Sequence, residues 1–142
     1  MTIAVDFDGT IVENRYPAIG RENPFAVRTL KMLQEEGHFL ILWSCREGEE
    51  MDAALDWCRQ RGLEFYAVNK DFPEENEKEN LSFSRKIKAD MFIDDRNVGG
   101  LPDWGAIYQM IHRLCRQPPC CTATAGDYAR HGRGRSGLRE EA

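Results

Sequence analysis

From the N-terminus to about residue 116, short apolar runs alternate with stretches whose apolar residues recur every three or four positions. Ile3-Ala4-Val5 falls in a first predicted strand over residues 2 to 7. A polar stretch with Gly9, Pro17 and Gly20 follows, and Asn23-Pro24 then reads as a helix N-cap with proline at the first helical position. Ala26, Val27, Leu30 and Leu33 recur at helical spacing, with Gly37 placed to stop the helix. Phe39-Leu40-Ile41-Leu42-Trp43 is apolar without a break, the pattern of a strand covered on both faces, and it ends at Ser44.

Residues 48 to 61 predict a second helix, with Glu49 and Glu50 in its first turn, Met51, Ala54, Leu55 and Cys58 on one stripe, and Gly62 beyond its end. Phe65 to Val68 predicts a third strand, and the polar run from Asn69 to Ser84 around Pro73 a mobile loop. Met91-Phe92-Ile93 predicts a fourth strand. A last helix runs from Pro102 to about Arg116 with Trp104, Ile107, Ile111 and Leu114 on a common face. Strand and helix signals in alternation predict an α/β fold built on a doubly wound parallel sheet.

Residues 117 to 142 differ in kind, being rich in Pro, Gly and Arg with few large apolar residues beyond Tyr128 and Leu138, so they predict a disordered tail behind a 1–116 core. The length of 142 residues, 42% hydrophobic and 30% charged, fits one domain. A net charge of −5 gives no broad basic field for nucleic acid; the segment from Arg130 to Arg135 is basic enough to touch RNA or a membrane head group, though short Arg/Gly tails often do neither. No signal-peptide pattern or membrane-length apolar run is present, so a cytoplasmic protein with no membrane partner is expected. The cysteines at 45, 58, 115, 120 and 121 are odd in number and lack metal-ligand spacing, which reads as reduced thiols.

The chemistry gathers at strand ends. Asp6-Phe7-Asp8-Gly9-Thr10 closes the first strand and Asp94-Asp95 closes the fourth, which is the edge where open α/β sheets bind ligands. If the two strands are neighbours, the carboxylates converge and call for a hard divalent cation, most simply Mg²⁺. Asp6 and Asp8, two apart on an extended chain, face one reactant together. One carboxylate can attack phosphorus while the other passes a proton to the leaving oxygen and later activates water. Each group also has a bland reading: Asp6 and Asp8 capping a turn at Gly9, Ser44 capping the next helix, Asp94-Asp95 opening a turn before Gly99-Gly100. Arg46 and Arg96 are placed either to hold a second anionic group or base edge of a substrate, or to pair with Glu47 and Asp95.

Asp-x-Asp-Gly-Thr, a strand ending in Ser, a Lys, and Asp-Asp after an apolar strand, in that order, resemble the haloacid dehalogenase (HAD) superfamily of phosphohydrolases over residues 1 to about 116. The resemblance implies a Rossmann-type core and a Mg²⁺-dependent phosphomonoester hydrolase acting through an aspartyl phosphate. It implies Asp6 as nucleophile and metal ligand, and Asp8 as general acid/base whose backbone carbonyl also binds Mg²⁺. Asp94 and Asp95 complete the metal site, and Ser44 binds the phosphoryl group with help from the Cys45 amide. The phosphate-bridging lysine is Lys86, or else Lys88. The intervals after Asp8 and after Ser44 are too short for a cap domain, so a capless member is expected, with a short flap over residues 11 to 20. An open site suits a large phosphorylated partner, or a small substrate enclosed by the 69–84 loop or by a neighbouring subunit in a homo-oligomer. A segment around Lys88 to Arg96 resembles deoxyribonucleotidases and leans the substrate towards nucleotides. The competing readings are a receiver-like phosphoryl acceptor, whose acidic residues stand in a different strand order, and a noncatalytic interaction module on the same scaffold.

Overall fold

The structure, a computed structural model, describes residues 1–76, 78–79 and 84–116. The tail expected over 117–142, and part of the loop expected over 69–84, lie outside the described residues. The elements are β1 (Thr2–Val5), α1 (Ala26–Glu35), β2 (Phe39–Leu42), α2 (Gly48–Arg59), β3 (Ala67–Val68), β4 (Met91–Ile93) and α3 (Trp104–Arg116). The strands form a 4-stranded sheet in the order β3-β2-β1-β4, and every pairing is parallel. Val5 stands opposite Leu42 on one side and Ile93 on the other, so β1 ends between the ends of β2 and β4.

Side chains alternate across a strand. Ile3, Val5, Leu40, Leu42 and Ile93 share one core with the apolar faces of all three helices. Ala4, Ile41 and Ala67 point to the opposite face, where Ile87 and the partly buried Trp43, Ala89 and Phe92 pack on them. Among the described residues no helix lies on that second face, so the sheet is α/β and parallel as expected, but its helices are gathered on one side rather than wound on both. The cause is legible in the connection from β3 to β4, which is too polar to present the apolar stripe that a crossover helix would bury.

Helix starts are set by competition for capping groups. α1 begins at Ala26, later than Asn23-Pro24 predicts; the Asn23 side chain is turned towards the Thr10 carbonyl, to which its Nδ2 donates at 2.8 Å, and it caps no helical N–H among the described residues. The Glu22 carboxylate takes over and accepts the Val27 N–H at 3.1 Å. α3 begins at Trp104, where Asp103 accepts the Ala106 N–H at 2.9 Å. Burying Val27, Leu30 and Leu33 stabilises α1 by about 1.5–3 kcal/mol per side chain, which outweighs its weak cap. Leu114 is exposed rather than packed, since residues 113 to 116 are exposed on every side and the helix has run past the core. Among the described residues no helix is long and apolar enough to cross a membrane.

Candidate functional site

The ladder that joins β1 to its neighbours continues one residue past the strand, with the Asp6 N–H donating to the Ile93 carbonyl at 3.0 Å and the Trp43 N–H to the Val5 carbonyl at 2.8 Å. Asp6 is thereby fixed at the carboxyl edge of the sheet. The chain then turns on Phe7, whose carbonyl accepts from the N–H groups of Thr10, Ile11 and Val12. Gly9 makes the turn at φ +84, and a Cβ there would lie 2.2 Å from Asp95 Oδ2, so the first and last acidic loops are in direct contact at this point.

A cleft of about 1020 Å³ opens at this edge. Of the residues expected to carry chemistry, Asp6, Asp8, Ser44, Cys45, Arg46 and Asp94 line it. One carboxylate oxygen from each of Asp6, Asp94 and Asp95 lies within 4.8 Å of the others. Asp95 Oδ1 is buried and has no hydrogen-bond partner among the described residues, a costly state for a carboxylate oxygen. Burial first, and then the charge of Asp94, push the Asp6 carboxyl up to about 7, against weaker lowering by hydrogen bonds from Thr10 and the Phe7 backbone. Three carboxylates brought this close repel one another, and oxygen donors of this kind suit a hard divalent cation.

Thr10, fully buried, welds the two loops. Its hydroxyl donates to Asp6 Oδ2 at 3.0 Å and accepts the Asp95 N–H at 3.1 Å, while its carbonyl receives Asn23 Nδ2 and, at 3.2 Å, Trp104 Nε1. Asp94 is set by its own turn: its Oδ1 accepts the Arg96 N–H and its carbonyl accepts from the Asn97 amide, both at 2.9 Å.

Asp8 stands apart from the acidic triad. Both its oxygens accept from Arg46, Oδ2 from Nε at 2.6 Å and Oδ1 from Nη2 at 2.7 Å. The guanidinium is only 1% exposed, and its hydrogen bond with Asp8 raises its own pKa. Arg46 therefore pairs neither with Glu47 nor, as expected for a substrate-binding arginine, with the open cleft. Ser44 is held by Asn69, whose side chain accepts the Ser44 N–H at 2.8 Å and donates to the Ser44 carbonyl at 2.9 Å. Among the described residues the Cys45 N–H meets no protein acceptor, which leaves it available to the cleft.

The lysine is placed differently from its expectation. Lys86 is exposed with its Nζ 5.3 Å from the Phe92 ring centroid, and Lys88 reaches Asp71 at 3.9 Å. Neither lines the cleft; among the described residues the basic side chains that do, besides Arg46, are Arg85 and Arg96. Thr10, Asn69 and Arg85 carry no assigned role in the sequence reading. The signal for Asn69 is its position, one residue beyond a strand, where its φ of +53 suits Asn better than most side chains. The flap also differs from a free lid. Its neck is closed by the Glu13 N–H on the Arg21 carbonyl at 2.7 Å, and a Cβ on Gly20 would sit 2.1 Å from the Glu13 carbonyl oxygen.

No family model and no curated protein matches the chain. A solved structure described as that of a conserved protein coded by a locus of Bacteroides thetaiotaomicron is 71% identical, with a TM-score of 0.76, over 80% of this chain and 91% of that one. At that identity and coverage, the chain belongs to the same family as this conserved protein of Bacteroides thetaiotaomicron.

Proposed function

We propose that the chain is a Mg²⁺-dependent phosphomonoester hydrolase of HAD type, capless, acting through an aspartyl phosphate on Asp6. The observation that carries this reading is the meeting of Asp6, Asp94 and Asp95 at the carboxyl edge of a parallel sheet, Asp95 also having a buried oxygen without a hydrogen-bond partner among the described residues. The capless reading rests on the intervals after β1 and β2, which among the described residues contain only the flap and elements of the core.

In this reading an Asp6 oxygen attacks phosphorus as the bond to the leaving oxygen breaks, and Thr10 holds the other Asp6 oxygen still. Asp8, protonated on an oxygen lone pair that Arg46 leaves free, gives that proton to the leaving oxygen, and the resulting carboxylate takes a proton back from the water that hydrolyses the acyl phosphate. Ser44 and the Cys45 N–H bind the phosphoryl oxygens. Held by Asp6, Asp94 and Asp95, Mg²⁺ would offset the repulsion between a carboxylate nucleophile and an anionic phosphate. The rings of Tyr16 and Trp43 on the cleft wall suit a planar leaving group and favour a nucleotide over an alkyl phosphate.

The placement of Lys86 and Lys88 away from the cleft favours a second reading, a module that binds or accepts a phosphoryl group without turning it over. Phosphate release from an aryl phosphate, with and without Mg²⁺, separates the two. The hydrolase reading expects turnover that needs both the metal and Asp6; turnover that survives Asp6→Asn removes Asp6 as nucleophile, and none from the folded native chain moves the balance to the binding module.

A further inference from the structure

We infer that Arg46 is a positioning residue that joins Asp8, Ser44 and the flap into one unit, so that the aim of the proton-handling carboxylate depends on the flap being seated. The inference rests on the hydrolase reading for the roles of Asp8 and Ser44, but the joint itself is a matter of geometry.

A guanidinium that is 1% exposed must have its donors satisfied, because an unpaired buried charge costs several kcal/mol, on the order of the stability of a small domain. Arg46 meets that demand in full. Nε and one Nη2 hydrogen go to Asp8, the other Nη2 hydrogen to the Ala18 carbonyl at 2.9 Å, and the Nη1 hydrogens to the carbonyls of Pro17 at 3.1 Å and Glu50 at 3.2 Å. A guanidinium has five N–H donors, so none remains for substrate. The acceptors belong to three separate segments: the turn after β1, the tip of the flap, and the first turn of α2. The guanidinium also contacts two rings, buried Phe7 at 5.2 Å and exposed Tyr16 at 5.3 Å, the second of them on the flap.

The backbone of the same residue acts on Ser44. The Arg46 N–H donates to Ser44 Oγ at 3.1 Å. With that oxygen engaged as an acceptor, the hydroxyl proton is left to point elsewhere, and the cleft is where a phosphoryl oxygen would accept it. One residue thus orients a donor through its main chain and a proton carrier through its side chain.

Lysine keeps the charge but cannot reproduce the planar fork. In Arg46→Lys we expect a fall in kcat of roughly a hundredfold, the size of effect produced by a misplacement of about 1 Å, with KM changed by less than about threefold. In an Asp8→Asn background the same change is expected to lower kcat no further, since its target is already gone. Hydrogen exchange at the amides of Glu13 and Asn23, which tie the flap's ends to the Arg21 and Ile11 carbonyls, should accelerate in Arg46→Lys while the buried amides of α1 stay protected. Should Arg46→Lys not fold, Tyr16→Leu replaces it, because an exposed ring can be removed without opening the core and the same flap amides should then exchange faster. A loss expressed in KM alone would mean that Arg46 binds substrate directly, and full additivity with Asp8→Asn that it acts independently; either overturns the inference. If the native chain shows no turnover, the hydrolase reading falls, and unchanged flap exchange in both variants then refutes the joint separately.

Discussion

The side-chain amide of Asn69 pairs with both backbone groups of Ser44, accepting its N–H at 2.8 Å and donating to its carbonyl at 2.9 Å. Since the Asn69 N–H already binds the Leu42 carbonyl, the side chain extends the β2–β3 ladder beyond the point where the backbones part. Asn69→Gly keeps access to the positive φ and removes only the side-chain bonds, at about 1 kcal/mol in denaturant unfolding; Asn69→Ala adds the left-handed penalty for roughly another 1 kcal/mol. Both variants should lose turnover about equally, as both release Ser44. Equal stability of the two would show that the backbone conformation carries no strain.

Gly9 faces Asp95 with no room for a methyl group and with a φ that L side chains avoid. Gly9→Ala must move either the turn or the carboxylate, so unfolding should show a loss of at least about 2 kcal/mol together with weakened divalent-cation binding by calorimetry. Native-like cation affinity in this variant would separate the turn from the acidic cluster.

Asp6 supplies a pH dependence with a definite sign. Its carboxyl lies at about 7 in the metal-free fold against an ordinary 3.8, so between those values the folded chain holds a proton that the unfolded chain has lost. The Asp6 contribution is complete below about pH 4 and disappears as the pH rises through 7, and over that window it lowers the melting temperature. Melting curves in a chelator should show this fall, and Asp6→Asn should flatten it. Added Mg²⁺ should raise the melting temperature more at pH 8 than at pH 5, because cation and proton compete for the same oxygens.

The thiols should sort by environment. Burial pushes Cys58 up to about 12, whereas Cys45 and Cys115 are exposed. Iodoacetamide at neutral pH should alkylate Cys45 and Cys115 in the folded chain and reach Cys58 only on unfolding, as read by peptide mass spectrometry. A phosphate mimic that occupies the cleft should protect Cys45 and leave Cys115 reactive.

Much of this architecture is written locally. Ile3-Ala4-Val5 and Leu40-Ile41-Leu42 are apolar on both faces and are buried on both, and the carboxylates of Asp6 and Asp94 follow directly from where their strands end. What covers each face is another matter: a run such as Leu40-Ile41-Leu42 records that a strand is enclosed, not whether a helix or a segment like that around Ile87 encloses it. The pairing of Arg46 was hidden for a similar reason. Asp8 lies 38 positions away in the chain, and the other acceptors, at Pro17, Ala18 and Glu50, are backbone carbonyls, which every residue carries, so no local pattern marks any of them. The direction of Lys86 is not legible because the stretch around it has no periodicity, and the turn of the Asn23 side chain is not legible because its partner, the Thr10 carbonyl, belongs to another segment of the chain.

The sheet order also governs when the acidic pocket can come into being. β1 has β4 as one of its two neighbours, and Thr10 reaches Asp95 across 85 residues of chain. Until that fourth strand docks, one edge of β1 is bare, the Asp6 N–H lacks the Ile93 carbonyl, and Asp6 does not meet Asp94 and Asp95. The acidic cluster is therefore a product of the longest-range pairing of the sheet, and no smaller piece of the fold contains it.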